Sequence, residues 1–405
     1  MELRSITAHF IDKVWKNRIA LLVFLLAMPF LNESFPTSYF VYIFVIDSFK
    51  FIAFFVLIGI YIKRKKKPSL LMLILLFSQI MWLFSTVLNY SAYSTKEWIK
   101  LFYDIFSILS LSMIVELFIN EPRSLIRGLM TNYEIAIYSY VFSIVFKLAG
   151  EGYYLRGLLN TLLLWIIPSI CLSLLNIVIC KKYVRSICLL FACFYTVWIV
   201  KSATTIVSLF AMIMVILLGL VLHQYKRTKK FVLPLALILS VSILLNLFVL
   251  FVYNGHSFPL VDFIIKKFLN RTTDFTQRNT IWAEAIRMIR LKPLFGYGYK
   301  PVIYASTDFG TEYIHAHNQL LQKLIESGII GLVLFTLFHM ELIRKVDKSK
   351  NTVARIITVA AVFAVSVTYI TEAYAKFFVF YPVFFLAYYV DELVKNSNYA
   401  DNEIK

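Results

Sequence analysis

The chain is poor in the residues that keep a protein in water. Only 16% of its 405 residues are charged, and it has 12 glycines, 10 prolines and four cysteines. Soluble domains carry about 25% charged and about 45–50% apolar residues, whereas the hydrophobic share here is 60%. A water-soluble globule could not cover that much apolar side chain, so that class is excluded. Scarce glycine and proline exclude collagen-like and low-complexity chains, and the apolar excess excludes disorder. Cys171, Cys180, Cys188 and Cys193 form no CxxC pair and lie in or beside apolar runs, so they read as packing residues, with no metal or disulfide framework implied. Acidic residues are short too: 23 Asp and Glu face 41 Lys and Arg, a formal net charge of +18. A basic nucleic-acid protein spreads such charge over a soluble face. Here it falls in clusters between apolar runs, the pattern that encodes membrane orientation, so no nucleic-acid partner is expected. What remains is an all-α polytopic membrane protein.

A helix crossing an apolar core about 30 Å thick needs about 20 residues. That ruler predicts twelve spans, at 17–32, 39–62, 69–88, 98–119, 134–149, 158–179, 186–200, 202–222, 231–253, 327–343, 354–371 and 377–392. The first follows a basic start without a small-x-small cleavage site and reads as an uncleaved helix. With the N-terminus cytoplasmic, the inner segments hold 25 basic residues, against 3 (Lys96, Arg156, Lys376) in the short outer loops. The positive-inside rule then puts both termini in the cytoplasm. The expected division is a transmembrane bundle of about nine helices over 1–253, a large extracytoplasmic loop over 254–326, three C-terminal helices over 327–392, and a cytoplasmic tail over 393–405. Long loops without structure of their own are usually functional, and chemistry is expected in this one.

Within that loop, residues 278–292 read as an amphipathic helix, with Trp282, Ala285, Ile286 and Ile289 on one face. Arg278 stands at its start, where the helix dipole favours anions. It is either a solvated surface arginine or one half of an anion site shared with the first-turn amides. The run Gly296-Tyr297-Gly298 reads as a chain reversal more readily than as a phosphate cradle. His317-Asn318 precede another helical face (Leu320, Leu321, Leu324, Ile325) that runs through Gly328 into the tenth span. Histidine is the side chain that exchanges a proton near neutral pH, and His315 stands two residues away as a candidate partner. Of the charges inside or beside spans, Lys201 reads as a snorkelling or functional cation. Asp47 with Lys50 and Lys100 with Asp104 read as mutually neutralising pairs. Glu116 reads as a residue near the inner surface with no special role.

Taken in order, Arg278 with Trp282 four residues on, Lys292-Pro293, Gly296-Tyr297-Gly298, His317-Asn318, then Gly328 and Gly331 resemble the O-antigen ligase and polymerase superfamily, which includes capsular and exopolysaccharide repeat-unit polymerases. The resemblance covers about 200–340. It implies a GT-C-like membrane glycosyltransferase of a bacterial cytoplasmic membrane. Such an enzyme moves a glycan from a polyprenyl-pyrophosphate lipid to an acceptor hydroxyl on the outer face, without nucleotide sugar, metal or other cofactor. By motif, His317 is the base that activates the acceptor, and Arg278 holds the pyrophosphate. Arg271, seven residues earlier, is where relatives often carry another arginine. Many members have Ser-Arg at the start of the eighth span; here Ser202 is followed by Ala203, and Lys201 is left to supply that cation. Asn318, His315, Tyr297 and Tyr299 complete the expected substrate-binding set, the tyrosines as platforms for sugar rings.

The expected function is a repeat-unit polymerase working on lipid-linked donor and acceptor, with a flippase and a chain-length regulator as partner proteins. The nearest alternative is a ligase that passes finished glycan to a lipid or protein acceptor. From another class, the alternative is a flippase, which would carry internal repeats and Gly/Pro-broken spans in corresponding halves; the sequence shows no convincing repeat.

Overall fold

The computed structural model describes residues 2–31, 40–148, 153–154, 157–158, 161–224, 278–307, 310–350, 352–370, 372–373 and 378–402. The ninth expected span (231–253), the first third of the expected outer loop and Arg271 lie outside the described residues.

The architecture is that of an all-α polytopic membrane protein. Helices α1 (Glu2–Leu31), α2 (Phe40–Lys63), α3 (Leu70–Leu88), α4 (Thr95–Phe118) and α5 (Pro122–Val145) run alternately up and down. A two-residue hairpin, β1 (Tyr153–Tyr154) with β2 (Gly157–Leu158), precedes α6 (Leu162–Cys180), α7 (Tyr183–Val200) and α8 (Ala203–Gln224). Helix α9 (Arg278–Leu291), the antiparallel pair β3 (Ile303–Thr307) and β4 (Gly310–Tyr313), α10 (Gln319–Asp347), α11 (Val353–Thr368), α12 (Tyr381–Tyr388) and α13 (Val390–Asn402) complete it. Among the described residues, seven helices are long and apolar enough to cross a membrane: Val45–Lys63, α3, α4, α6, α7, α8 and α10. Shorter apolar helices lie at Asn17–Leu31, Val353–Thr368 and Phe378–Tyr388.

Local signals explain where the helices begin. The Ser69 hydroxyl caps α3 by accepting from the Met72 amide at 3.2 Å. Ser94 and Glu97 form a capping box on α4, Pro122 opens α5 where its missing N–H costs nothing, and Thr352 caps α11 through the Arg355 amide at 3.2 Å. The outer surface of α7 shows why the bundle suits lipid. Val184 (78% exposed), Phe191 (73%) and Trp198 (76%) recur every seven residues as one apolar stripe, which would be a large unpaid patch in water.

Two sequence expectations shift. Helix α5 starts twelve residues before the expected span at 134–149, opened by Pro122 and carried into the bundle by buried Leu125, Ile126, Leu129 and Met130. The Arg185 Nε on α7 donates to Glu134 at 2.7 Å, and its Nη2 donates to Thr131 at 2.6 Å. Glu116, expected to be idle, is fully buried and accepts from the Tyr61 hydroxyl (2.8 Å), the Ser69 amide (2.8 Å) and the Tyr389 hydroxyl (2.5 Å). It ties together the ends of α2, α3, α4 and α12. Asp47 and Lys50 do pair, at 3.4 Å.

The core has two parts. The larger joins side chains from α1–α8 and α10–α13. The smaller, built on Ile281, Trp282, Ala285 and Met288 of α9, packs against Ile303, Ala316, Leu321 and Ile325. The apolar face expected on α9 therefore faces the protein, and it sets the outer segment against the first turns of α10. At the opposite end of the bundle lie the cationic connectors, Lys63–Lys67 and Lys181–Lys182 among them.

Candidate functional site

The two-part core fixes a cluster of charged groups where α9, α10 and the segment after α11 converge. Arg278 and Trp282 are one helical turn apart, hence on one face of α9. The Trp282 indole Nε1 donates to the Ala316 carbonyl at 2.8 Å, and the Ala316 amide donates to Gln322 Oε1 at 2.8 Å. One turn of helix thus places Arg278 over the residue that follows Ala316, which is His317.

Asn318 is the N-cap of α10. Its Oδ1 accepts from the Leu320 and Leu321 amides at 3.0 and 3.2 Å, satisfying two first-turn donors. Its Nδ2 reaches the Ile370 carbonyl at 3.4 Å, and the Gln319 amide donates to the Tyr369 carbonyl at 2.9 Å. These bonds lash the start of α10 to the end of α11. His317, immediately before the cap, has φ +49°, a left-handed backbone that histidine adopts more readily than most side chains.

The lashing brings up Glu372. Its Oε1 accepts from the Arg278 guanidinium Nη2 at 3.0 Å, and its Oε2 lies 3.1 Å from His317 Nδ1. Glu372 is 8% exposed in its side chain, Arg278 15% and His317 27%. Burial pushes the Glu372 carboxyl up, but the hydrogen bond from His317 and the charge of Arg278 outweigh it, so the group is held below its usual range and stays ionised. With the carboxylate accepting from Nδ1–H, the lone pair of His317 falls on Nε2. The unit is a carboxylate that orients an imidazole and a guanidinium at once.

Sequence reasoning missed Glu372. It is the sole acidic residue between Val353 and Tyr389, and an isolated carboxylate just after an apolar span was the available signal. Counting cations to orient the spans passes over it.

The other expected residues distribute differently. Gly296 (φ +70°) and Gly298 (φ +91°) form a docking turn. The Tyr297 and Gly298 amides donate to the Ile325 and Glu326 carbonyls at 2.7 and 2.9 Å, so these N–H groups serve protein carbonyls. A Cβ on Gly298 would sit 2.7 Å from Thr86 Cα, and one on Gly296 2.4 Å from the Ile325 carbonyl oxygen. This is the chain reversal rather than the phosphate cradle. The Tyr297 hydroxyl donates to the Met288 carbonyl at 3.2 Å, and the ring carries Lys292 over its face at 4.7 Å. Tyr299 is 1% exposed and donates to Asp104 Oδ2 at 2.9 Å, so it is spent on packing the outer segment onto α4. His315 is half-buried, and the partner that His317 Nδ1 meets across a hydrogen bond is the Glu372 carboxylate. Lys201 caps α7 in a left-handed conformation (φ +52°) and is exposed, next to buried Ser202. It lies at the same end of the bundle as the cluster, where α8 begins its packing along α11.

Where the segment before α10 docks on the helical bundle, an arginine and a histidine thus converge on one buried carboxylate. Comparison with known proteins adds a family likeness. Residues 187–336 match the family model described as O-Antigen ligase. A Rickettsia typhi protein named "Putative polysaccharide ligase" is 30% identical over 96 residues, covering 21% of this chain and 24% of that protein. A Rickettsia felis protein of the same name is 29% identical over 99 residues, covering 22% and 24%. The chain spans about a quarter of the length of the curated relatives it matches.

Proposed function

We propose that this protein is a membrane glycosyltransferase that moves a glycan from a polyprenyl-pyrophosphate lipid onto an acceptor hydroxyl at the outer face of a bacterial cytoplasmic membrane. The observation that carries the reading is the Arg278–Glu372–His317 unit. Glycosyl transfer from a diphosphate needs cationic donors where the leaving group gains charge and a base where the hydroxyl loses its proton. A guanidinium carries five donors in a rigid fork that matches phosphate oxygens. His317 Nε2 takes the hydroxyl proton as the sugar oxygen attacks the anomeric carbon and the diphosphate departs with the bonding electrons. Glu372 then faces an imidazolium, and its negative charge stabilises that state. Arg271 and Lys201 are proposed as further cations for the diphosphate, with the outer end of the bundle taken as the end that holds the cluster.

Polymerase and ligase share this chemistry and differ in the acceptor. The names of the matched relatives favour a ligase, while the sequence motif reading favours a repeat-unit polymerase. Incubating the purified full chain with a synthetic lipid-linked repeat unit separates them. A ladder of lipid-linked products from repeat units alone assigns the polymerase. Transfer that occurs only after addition of a separate glycolipid or protein acceptor assigns the ligase. Absence of any transfer under both conditions contradicts the proposal.

A further inference from the structure

At the end of the bundle remote from Glu372, α1, α5 and the α6–α7 connection leave a cavity of about 860 Å³. Its walls are apolar, with Ala20, Leu21 and Phe24 of α1 along one side; its rim carries Arg127, Lys181, Lys182 and Arg185. Leu21 and Val184 beside it are 56% and 78% exposed, so the opening lies on the apolar outer surface of the bundle rather than in its core. Gly128 lines it where α1 and α5 approach closely, a Cβ there lying 2.6 Å from the Ala20 carbonyl oxygen. Arg185 is occupied by Glu134 and Thr131. Among the described residues, Arg127, Lys181 and Lys182 have no carboxylate within ion-pair distance. Three cations therefore overhang an apolar trough that faces lipid.

We infer that this cavity binds an anionic glycerophospholipid from the bilayer, its acyl chains along α1 and its phosphate on Arg127, Lys181 and Lys182. A basic pocket between membrane helices at their cationic end is the expected receptor for such a head group, and anionic lipid is drawn to that surface by about 1 kcal/mol per cation. The apolar wall excludes a free inorganic anion as the intended ligand, since such an anion gains nothing from it. The inference requires that the chain cross a membrane but is independent of the glycan-transfer reading.

The test is lipid binding to the detergent-solubilised full chain, with phosphatidylglycerol as probe, phosphatidylcholine of the same acyl chains as control, and inorganic phosphate as competitor. Phosphatidylglycerol is expected to bind at least about tenfold tighter than phosphatidylcholine, and about 10 mM phosphate is expected to leave it bound. The triple variant Arg127→Gln, Lys181→Asn, Lys182→Gln is expected to lose at least about twentyfold in phosphatidylglycerol affinity, and Lys182→Gln alone about fivefold. Asn is chosen at 181 because the backbone there is left-handed, φ +55°. Lys182 is exposed, so its variant keeps the test valid if the triple variant does not fold. Equal affinity for the two lipids, unchanged binding in Lys182→Gln, or full displacement by phosphate overturns the assignment.

Discussion

Each oxygen of the Glu372 carboxylate faces a different group, and that division sets what a substitution does. Gln keeps the shape of the side chain but presents one N–H₂ to a partner that is itself a donor, and it removes the charge that favours an imidazolium. Glu372→Gln should therefore lower kcat by about 10²–10⁴-fold, the scale for removing the carboxylate that orients a histidine base, with less than a tenfold change in KM for the lipid-linked donor. A loss within threefold would mean that the carboxylate is only structural. The same group gives a pH signature. Its folded pKa is depressed below the ordinary value of 4.5, so its contribution to stability is present above that value and is lost as pH falls through the lower, folded one. Thermal unfolding of the wild type should thus be steady above about pH 5 and decline in more acid buffer, with Glu372→Gln showing a weaker decline. Arg278→Ala leaves the buried carboxylate without its guanidinium, a change that typically costs about 3–5 kcal/mol, so a lower Tm should accompany its loss of activity. At this scale the motif residues were legible in two pairs, Arg278 with Trp282 on one helix face and His317 with Asn318 at a helix start, which the family resemblance joined and the contacts through Ala316 and Glu372 bring together. Glu372 was not, because its role depends on a contact made 55 residues along the chain from His317, and no local pattern encodes that approach.

At the scale of elements, the site rests on how α10 is broken. Its 29 residues would span about 43 Å at 1.5 Å per residue, longer than an apolar core of about 30 Å. The excess lies at the start, where Asn318–Ser327 docks under α9, and Gly328 (φ +63°, ψ −163°) marks the change to the membrane-spanning part. That conformation is essentially restricted to glycine. A Cβ there would lie 2.1 Å from the Leu294 carbonyl oxygen, and the neighbour is backbone that cannot swing away. The Ile329 amide next to it donates to the Pro293 carbonyl at 2.8 Å, which explains why Lys292-Pro293 and Gly328 travel together in the sequence. Gly328→Ala should undock the outer segment, with a loss of at least about 2 kcal/mol from backbone strain alone and faster proteolysis between 292 and 318. Resistance to protease equal to the wild type would contradict this. The break was legible only as a glycine at a helix boundary. The early start of α5 was not legible, since Arg123 and Arg127 interrupt the apolar run there and the helix is held by Leu125, Ile126, Leu129 and Met130 buried in the bundle.

For the whole molecule, the proposed orientation follows from where the cations sit. Lys65 belongs to the basic end, and Lys96 to the end that carries Glu372 and His317; both are exposed. In a variant whose four cysteines are replaced by alanine, a membrane-impermeant maleimide applied to intact spheroplasts should label Lys96→Cys and leave Lys65→Cys unlabelled until the membrane is opened. The reverse pattern would place the cluster in the cytoplasm and remove the basis for chemistry at the outer face. The all-α, many-span character was legible, because apolar length is a property of segments; of the twelve spans expected, seven helices among the described residues are long and apolar enough to cross a membrane. The docking of the outer segment onto α3 and α4 was not legible. It rests on single bonds such as Tyr299 to Asp104 and the Ser85 hydroxyl to the Glu326 carbonyl at 2.8 Å, which join positions about 200 residues apart or more.

The central claim is that His317, aimed by Glu372 beside Arg278, takes the proton from an attacking hydroxyl. Its most direct test is glycan transfer by purified, reconstituted protein carrying His317→Asn, a substitution that tolerates the left-handed backbone. The account predicts that this variant still binds the polyprenyl-pyrophosphate donor within about threefold of the wild type while its transfer rate falls by about 10²-fold or more. Transfer at the wild-type rate by that variant would contradict it.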